Sequence, residues 1–194
     1  MIKLSRKTAE TEIDLALELA GNGQYQIDTG IGFFDHMLEL WSKHGFFDLT
    51  LTVQGDLEVD AHHTVEDTGI VLGQALKEGM ATRTGIRRYG QAIIPMDEVL
   101  IISAVDLSGR SYYNGNLRFK SKACGDFPVE LVDEFFRSLT VRAGINLHFK
   151  MLNPGNNHHI IEACFKAFAR ALDQALQTES RLGDKPLSTK GSLV

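Results

Sequence analysis

The amino-acid sequence predicts an α+β fold made of two copies of one βββαβα unit, and three observations predict it. A His-His-x-x-Glu motif occurs twice, as His62-His63 with Glu66 and as His158-His159 with Glu162, at an offset of 96 positions in a chain of 194 residues. The apolar stripe after each motif repeats as well: Val65, Gly69, Leu72 and Leu76 match Ile161, Phe165, Phe168 and Leu172 in spacing and offset. In each half, several strand-like segments come before the first helix, a pattern of mostly antiparallel sheets with helices packed on one face.

Each element follows from local chemistry. In the first half, β-rich stretches at 13–19 and 24–28 precede a helix over about 33–44, with Gly45 expected as its C-terminal cap. Residues 46–53 then alternate apolar and polar as a half-buried strand does, and Asp60 is suited to cap the motif helix that follows. The second half repeats this plan with strands at 88–94, 99–107 and 111–119 and a helix over about 128–143 closed by Gly144. A strand at 145–151 comes next, and Asn156 is the cap equivalent to Asp60. No Pro- or Ser-rich linker separates the halves. They are read as one pseudo-symmetric domain over 1–194, with half-repeats of about 1–85 and 86–181 and a tail at 182–194.

Composition narrows the chemistry. With 20 Lys and Arg against 25 Asp and Glu the net charge is −5, which argues against nucleic acid or an anionic membrane surface as partner. There is no run of 18 apolar residues and no signal-peptide core at the N-terminus, so a cytoplasmic protein is expected. Two cysteines, Cys124 and Cys164, are too few for a disulfide framework or a thiolate zinc site. Any metal chemistry must therefore rest on carboxylates and the seven histidines.

On a helix, residues four apart share a face and neighbours diverge by about 100°. His62 thus lies near Glu66 while His63 projects away, and each pair suits two different metal ions better than one. Imidazoles with a carboxylate suit Mn, Fe, Co, Ni or Zn, whereas Mg and Ca call for more oxygen. A single such motif is a weak pattern that solvated surface also produces; two copies at equivalent positions of a repeat are much more specific. His36, after Asp35, and Glu134, after Asp133, are pseudo-equivalent and could complete the ligand sets. Glu134 reads equally well as a helix-start carboxylate favoured by the dipole. Spacing does not decide whether the ligands meet within one chain or across a subunit interface. His148, at a polar position of its strand, is expected to be surface or structural. Arg83, Arg87, Arg88, the 106–110 turn and the stretch Ser188 to Gly191 could hold an anion, though each alone reads as surface charge or turn.

Five segments together resemble the imidazoleglycerol-phosphate dehydratase family: Asp35-His36-Met37-Leu38, Asp60 to Asp67, Pro95-Met96-Asp97-Glu98, Asp106 to Arg110, and Asn157 to Glu162. The resemblance covers about 6–190 and, with no phosphatase segment attached, implies the monofunctional form. It implies a ribosomal-protein-S5-domain-2-like fold and removal of water from D-erythro-imidazole-glycerol 3-phosphate to give imidazole-acetol phosphate in histidine biosynthesis. Because the hydrogen to be lost is not beside a carbonyl, the imidazole ring must serve as the electron sink. Two manganese ions bound to its nitrogens, other divalent transition metals being possible, would favour imidazolate.

Position by position, the resemblance implies His36, His62, His63, Glu66, His158, His159 and Glu162 as metal ligands, with Glu134 substituting for a histidine that several relatives carry. It implies Glu10 and His44 as proton-transfer candidates beside the substrate, with His36, His62, Glu66, His158 and Lys166 also around it. Arg88, Arg110, Ser188 and Lys190 become the phosphate set, and Ser111, where many relatives have proline, is expected to alter only a turn. The implied assembly is a homo-oligomer in which trimers build a shell of twenty-four subunits, with metals at the contacts. Two other readings use the same residues: a non-catalytic oligomer cemented by metal, and a dinuclear metal hydrolase acting on a phosphorylated small molecule.

Overall fold

The computed structural model describes residues 1–81 and 84–191. The first half comprises β1 (Ile2–Lys7), β2 (Thr11–Glu18), β3 (Tyr25–Asp28), α1 (Gly32–Gly45), β4 (Asp48–Gly55) and α2 (His62–Gly79). The second comprises β5 (Tyr89–Met96), β6 (Val99–Asp106), β7 (Tyr112–Asn114), a two-stranded ribbon β8 (Ala123–Cys124) and β9 (Phe127–Pro128), α3 (Glu130–Ala143), β10 (Asn146–Asn153) and α4 (Asn157–Leu176). Without the ribbon, both halves are βββαβα. Their sheets have equivalent strand orders, β1-β2-β4-β3 and β5-β6-β10-β7, antiparallel except for the last pair in each.

Alternation fixes which face of each sheet is covered. In β2, Ile13, Leu15 and Leu17 are buried between exposed or partly exposed neighbours, and β6 buries Val99, Ile101, Ser103 and Val105 in the same rhythm. The covered faces receive helices: α2 packs on β1, β2 and β4, and α4 packs on β5 and β6. The helices of the two halves then pack on each other, α1 on α4 and α2 on α3. Aromatic side chains knit the helix layer, with Phe34 edge-on to Phe135 at 5.2 Å and Trp41 stacked on Phe168 at 6.4 Å across the halves, and Phe135 stacked on Phe165 at 5.3 Å within the second. Every residue of both apolar stripes is buried, as the repeat requires.

Besides β1, which occupies a stretch the sequence reading left unassigned, three details differ from that reading. The strand expected over 111–119 is only three residues long, because Asn116 takes a positive φ of 35° and the chain leaves the sheet edge. Pro128 pairs in the ribbon rather than opening a helix, so α3 begins at Glu130. Gly144 caps α3 in the left-handed conformation as expected (φ 65°), but on α1 that conformation falls on Phe46 (φ 58°), one residue beyond Gly45. The ring of Phe46 lies 5.4 Å beneath the Arg170 guanidinium, a cation–π contact that helps hold it. At α4 the expected N-cap forms, the Asn156 side-chain carbonyl oxygen accepting the His158 backbone N–H at 2.7 Å; at α2 the cap position falls on Ala61, and an Asp60 carboxylate oxygen just before it accepts the His62 N–H at 2.7 Å.

The α2–α3 seam depends on small residues. A Cβ on Gly69 would lie 2.7 Å from the Phe135 carbonyl oxygen, and one on Gly73 would lie 2.5 Å from that of Leu139. Gly73→Val should therefore push the helices apart and destabilise the fold by about 1–3 kcal/mol, despite valine's better helix propensity. A lowered denaturant midpoint with an unchanged slope is the expected reading; an unchanged midpoint would show that the seam can yield at no cost.

Candidate active site

Helix pairing creates the site. α1 runs alongside α4 in the same direction, so His36 lies against the first turns of α4. Its Nε2 is 3.9 Å from Glu162 Oε2, and His158 Nε2 is 3.2 Å from the same oxygen. α2 runs alongside α3 in the same way, bringing Glu134 to His62 and Glu66, whose Nε2 and Oε2 are 3.6 Å apart. Within each of these triads, one donor atom per residue lies within 4.8 Å of the other two. The sets are thus crossed: the His-x-x-x-Glu pair of each half takes its third member from the other half, inside a single chain. The donors fit a divalent transition metal, being imidazole nitrogen and carboxylate oxygen in both sets.

The second histidine of each pair points elsewhere, as the 100° step requires. His63 Nδ1 lies 3.0 Å from Asp56 at the end of β4, and its Nε2 lies 3.8 Å from Glu10 in the β1–β2 turn. His159 Nδ1 lies 2.9 Å from Glu98 in the β5–β6 turn, with Asp97 3.9 Å from its Nε2. Each ring can donate its Nδ1–H to a carboxylate and present Nε2 as a donor to an ion, the usual way a protein orients an imidazole ligand. The Asp56 hydrogen bond raises the basicity of His63. Glu98 also accepts the Asn156 N–H at 2.6 Å, and this bond together with His159 holds its carboxyl down to about 2. Sequence reasoning gave no role to Asp56 or Glu98. Glu98 stands in a quoted motif, but nothing in the spacing marks Asp56.

Charge is distributed unevenly. Glu162, 6% exposed, accepts a hydrogen bond from Lys166 Nζ at 2.5 Å on the oxygen that faces away from the histidines. Burial works to raise its carboxyl, but Lys166, His158 and His36 together hold it below the ordinary value. One turn further along, His44 is half-buried, and desolvation with the nearby charges of Lys166 and Arg170 lowers its basicity. Its ring therefore stays neutral over more of the pH range.

The candidate anion residues gather at the other end of α4. Arg88 is forked onto Asp106 at 2.8 and 3.2 Å, and its third nitrogen reaches the Leu187 carbonyl at 2.6 Å. Ser188 follows directly, with its Oγ accepting the Lys190 N–H at 3.2 Å. The tail is thus tied to the body at Arg88. Arg110 is exposed, and its carbonyl accepts a bond from Asn146 at the same end of the sheet; Arg83 lies outside the described residues. Arg88 donates its backbone N–H to Ala175 near the C-terminus of α4, whereas His158 is in its first turn. At 1.5 Å per residue these points are roughly 25 Å apart. Within one chain, Arg88 and His158 therefore do not share a site.

A sequence model of the imidazoleglycerol-phosphate dehydratase family matches residues 29–172, a span that includes both crossed triads. The chain belongs to this family. Curated relatives of that name include those of Lachnoclostridium phytofermentans and Acetivibrio thermocellus, 55% and 53% identical over 191 residues, in each case 98% of this chain and 97% of the relative. The crystal structure of the Staphylococcus aureus imidazoleglycerol-phosphate dehydratase superposes with a TM-score of 0.82 at 38% identity, covering 92% of this chain and all of that one. That of the Pyrococcus furiosus family member gives 0.82 at 35%, covering 97% and 99%. These likenesses bear out the α+β fold and make the chain an enzyme of the dehydratase class.

In this member of the family, a cavity of about 670 Å³ opens beside one triad, lined by Phe33, Leu57, Asp60, Cys124, Phe127 and His158 among others. Glu10 is exposed on the opposite side of His63 from Asp56, accessible to a bound molecule. His148 lies on the outer face of its sheet, 5.2 Å from the Tyr112 ring, the surface position its strand pattern indicates. Among the described residues no helix is long and apolar enough to cross a membrane.

Proposed function

We propose that the chain dehydrates D-erythro-imidazole-glycerol 3-phosphate to imidazole-acetol phosphate in histidine biosynthesis, with two manganese ions in each active site. The crossed pairing carries this reading, since it builds two similar ligand sets from one duplicated unit. His36, His158 and Glu162 would hold one ion and His62, Glu66 and Glu134 the other, with His63 and His159 completing the sets. Ions bound there supply Lewis acidity and a template for the imidazole ring.

The protein's own groups do the rest. Glu10, exposed beside His63, exchanges the proton; His44, whose basicity burial and the nearby cations lower, is the second proton-transfer candidate. Arg88, Arg110, Ser188 and Lys190 grip the phosphate, Arg88 being preset by Asp106, and Lys166 adds positive charge beside Glu162.

Because the metal-donor end and the anion end of α4 lie so far apart, a complete site requires a second copy of the chain. The outer face of the β5-β6-β10-β7 sheet suits such a contact. Tyr89, Ile93 and Tyr112 are exposed there, where β1 of the other sheet turns Lys3, Ser5 and Lys7 outward. The family resemblance would make the assembly one of trimers building a twenty-four-subunit shell, with metals at the contacts. This reading also places the enzyme in the cytoplasm, a setting compatible with two free thiols, Cys124 and Cys164.

Incubating the chain with manganese and imidazole-glycerol phosphate should yield imidazole-acetol phosphate, and chelation should abolish turnover and shrink the assembly together. Glu10→Gln should lose about 10²–10⁴-fold in turnover with the assembly intact. An active metal-free monomer would sink the proposal. Unchanged turnover in the Glu10 variant would favour a role in assembly alone.

A further inference from the structure

The two crossed triads are related by the repeat but are not chemically equal. One set offers two imidazoles and one carboxylate, His36, His158 and Glu162; the other offers one imidazole and two carboxylates, His62, Glu66 and Glu134. The exchange lies at a single pair of equivalent positions, 36 and 134. Surrounding charge widens the difference. Glu162 shares its charge with Lys166, whose side chain is only 17% exposed, whereas the position equivalent to Lys166 in α2 is Ile70, so Glu66 has no such partner four residues on. Glu134 does meet Arg137 at 3.2 Å, but that guanidinium is 56% exposed and solvent screens it. His63 and His159 are equivalent by the repeat and each contributes one imidazole, so they leave the imbalance as it is.

We infer that the two metal sites differ in preference: the His62–Glu66–Glu134 set is the oxygen-rich site that binds hard ions such as Mn²⁺ first and most tightly, and the His36–His158–Glu162 set is the nitrogen-rich site that favours Co²⁺ or Zn²⁺. Two carboxylates give the first set a charge of −2 and two oxygen donors, which suits manganese. Two imidazoles with a carboxylate drawn toward Lys166 offer less negative charge and softer donors, on which ions later in the first transition row gain more. This inference rests on the two-metal reading above and adds an order of loading and an ion selectivity to it.

The test uses the full assembled chain after removal of bound metal, titrated with Mn²⁺ alone and then with Co²⁺ against the manganese-loaded form. Free manganese is followed by electron paramagnetic resonance, cobalt by its visible ligand-field absorption, and total metal by elemental analysis. The expected result is two manganese equivalents per chain whose dissociation constants differ by at least about tenfold, with cobalt displacing one of them well before the other. Glu134→His should make the sets alike and bring the two constants together, and His36→Glu should make both oxygen-rich and raise manganese retention against cobalt. Two manganese equivalents of equal affinity, displaced together by cobalt in the native chain, would overturn the inequality while leaving the two-metal reading standing. A chain that takes up neither ion overturns both.

Discussion

Glu162→Gln should abolish turnover and lower stability at once, and the two losses should be separable. The substitution removes the only carboxylate from the set with His36 and His158, so that set keeps two imidazoles and no anionic donor. It also strips Lys166 of its partner in a site where the lysine side chain is 17% exposed. Breaking a buried ion pair by removing one member costs about 3–5 kcal/mol, because the remaining charge stays desolvated. In a chain of this size that corresponds to a fall in thermal midpoint of roughly 6–20 °C. Adding Lys166→Met should recover most of the stability and none of the turnover, which a double-mutant cycle would read directly.

The same pair predicts the shape of the acid limb. Glu162 is held below its ordinary value of 4.5 in the native chain, so through that range the unfolded chain binds more protons. Stability from this group is complete above the unfolded value and fades as pH falls through the lower native one. The Gln variant, which cannot titrate there, should show a shallower loss of stability over the same window. Equal acid limbs in the two proteins would mean that Glu162 is not held low by Lys166.

The duplicated fold was legible because repetition leaves two independent marks, a polar motif and an apolar stripe at one offset. Burial of both stripes follows from the 3.6-residue period alone. The short β7 and the added ribbon were not legible: residues 111–119 have strand-like composition, and only the backbone turn at Asn116 ends the strand early. The candidate ligands were legible as residue types, but their grouping was not. Periodicity tells which face of α2 carries His62 and Glu66; it does not tell that α3 rather than α1 covers that face, and hence that Glu134 rather than His36 joins them. Asp56 escaped for a related reason, since its role depends on where the end of β4 sits against His63, a contact between elements with no local signature. The anion residues at 88, 110, 188 and 190 were candidates by residue type and became one phosphate set only by resemblance, and the structure adds that Arg88 lies far along α4 from His158 of its own chain.

That separation leads to the second large effect. If a complete site takes its metal end from one subunit and its phosphate end from another, two inactive chains should complement each other. Glu10→Gln damages the end beside His63, while Arg110→Ala with Lys190→Ala removes two exposed cations from the other end and leaves the core untouched. Losing charge-assisted hydrogen bonds worth about 1.5–3 kcal/mol each should leave the double variant nearly inert at ordinary substrate concentrations. Dissociated, mixed in equal amounts and reassembled, the two chains would by chance place both intact ends together in about a quarter of the sites of a symmetric particle. Activity should therefore return to about a quarter of the native level, although each variant reassembled alone stays inactive. Mixed particles with no recovered activity would mean that each chain completes its own site, and the distance along α4 would then have to be bridged by movement of the tail beyond Arg88.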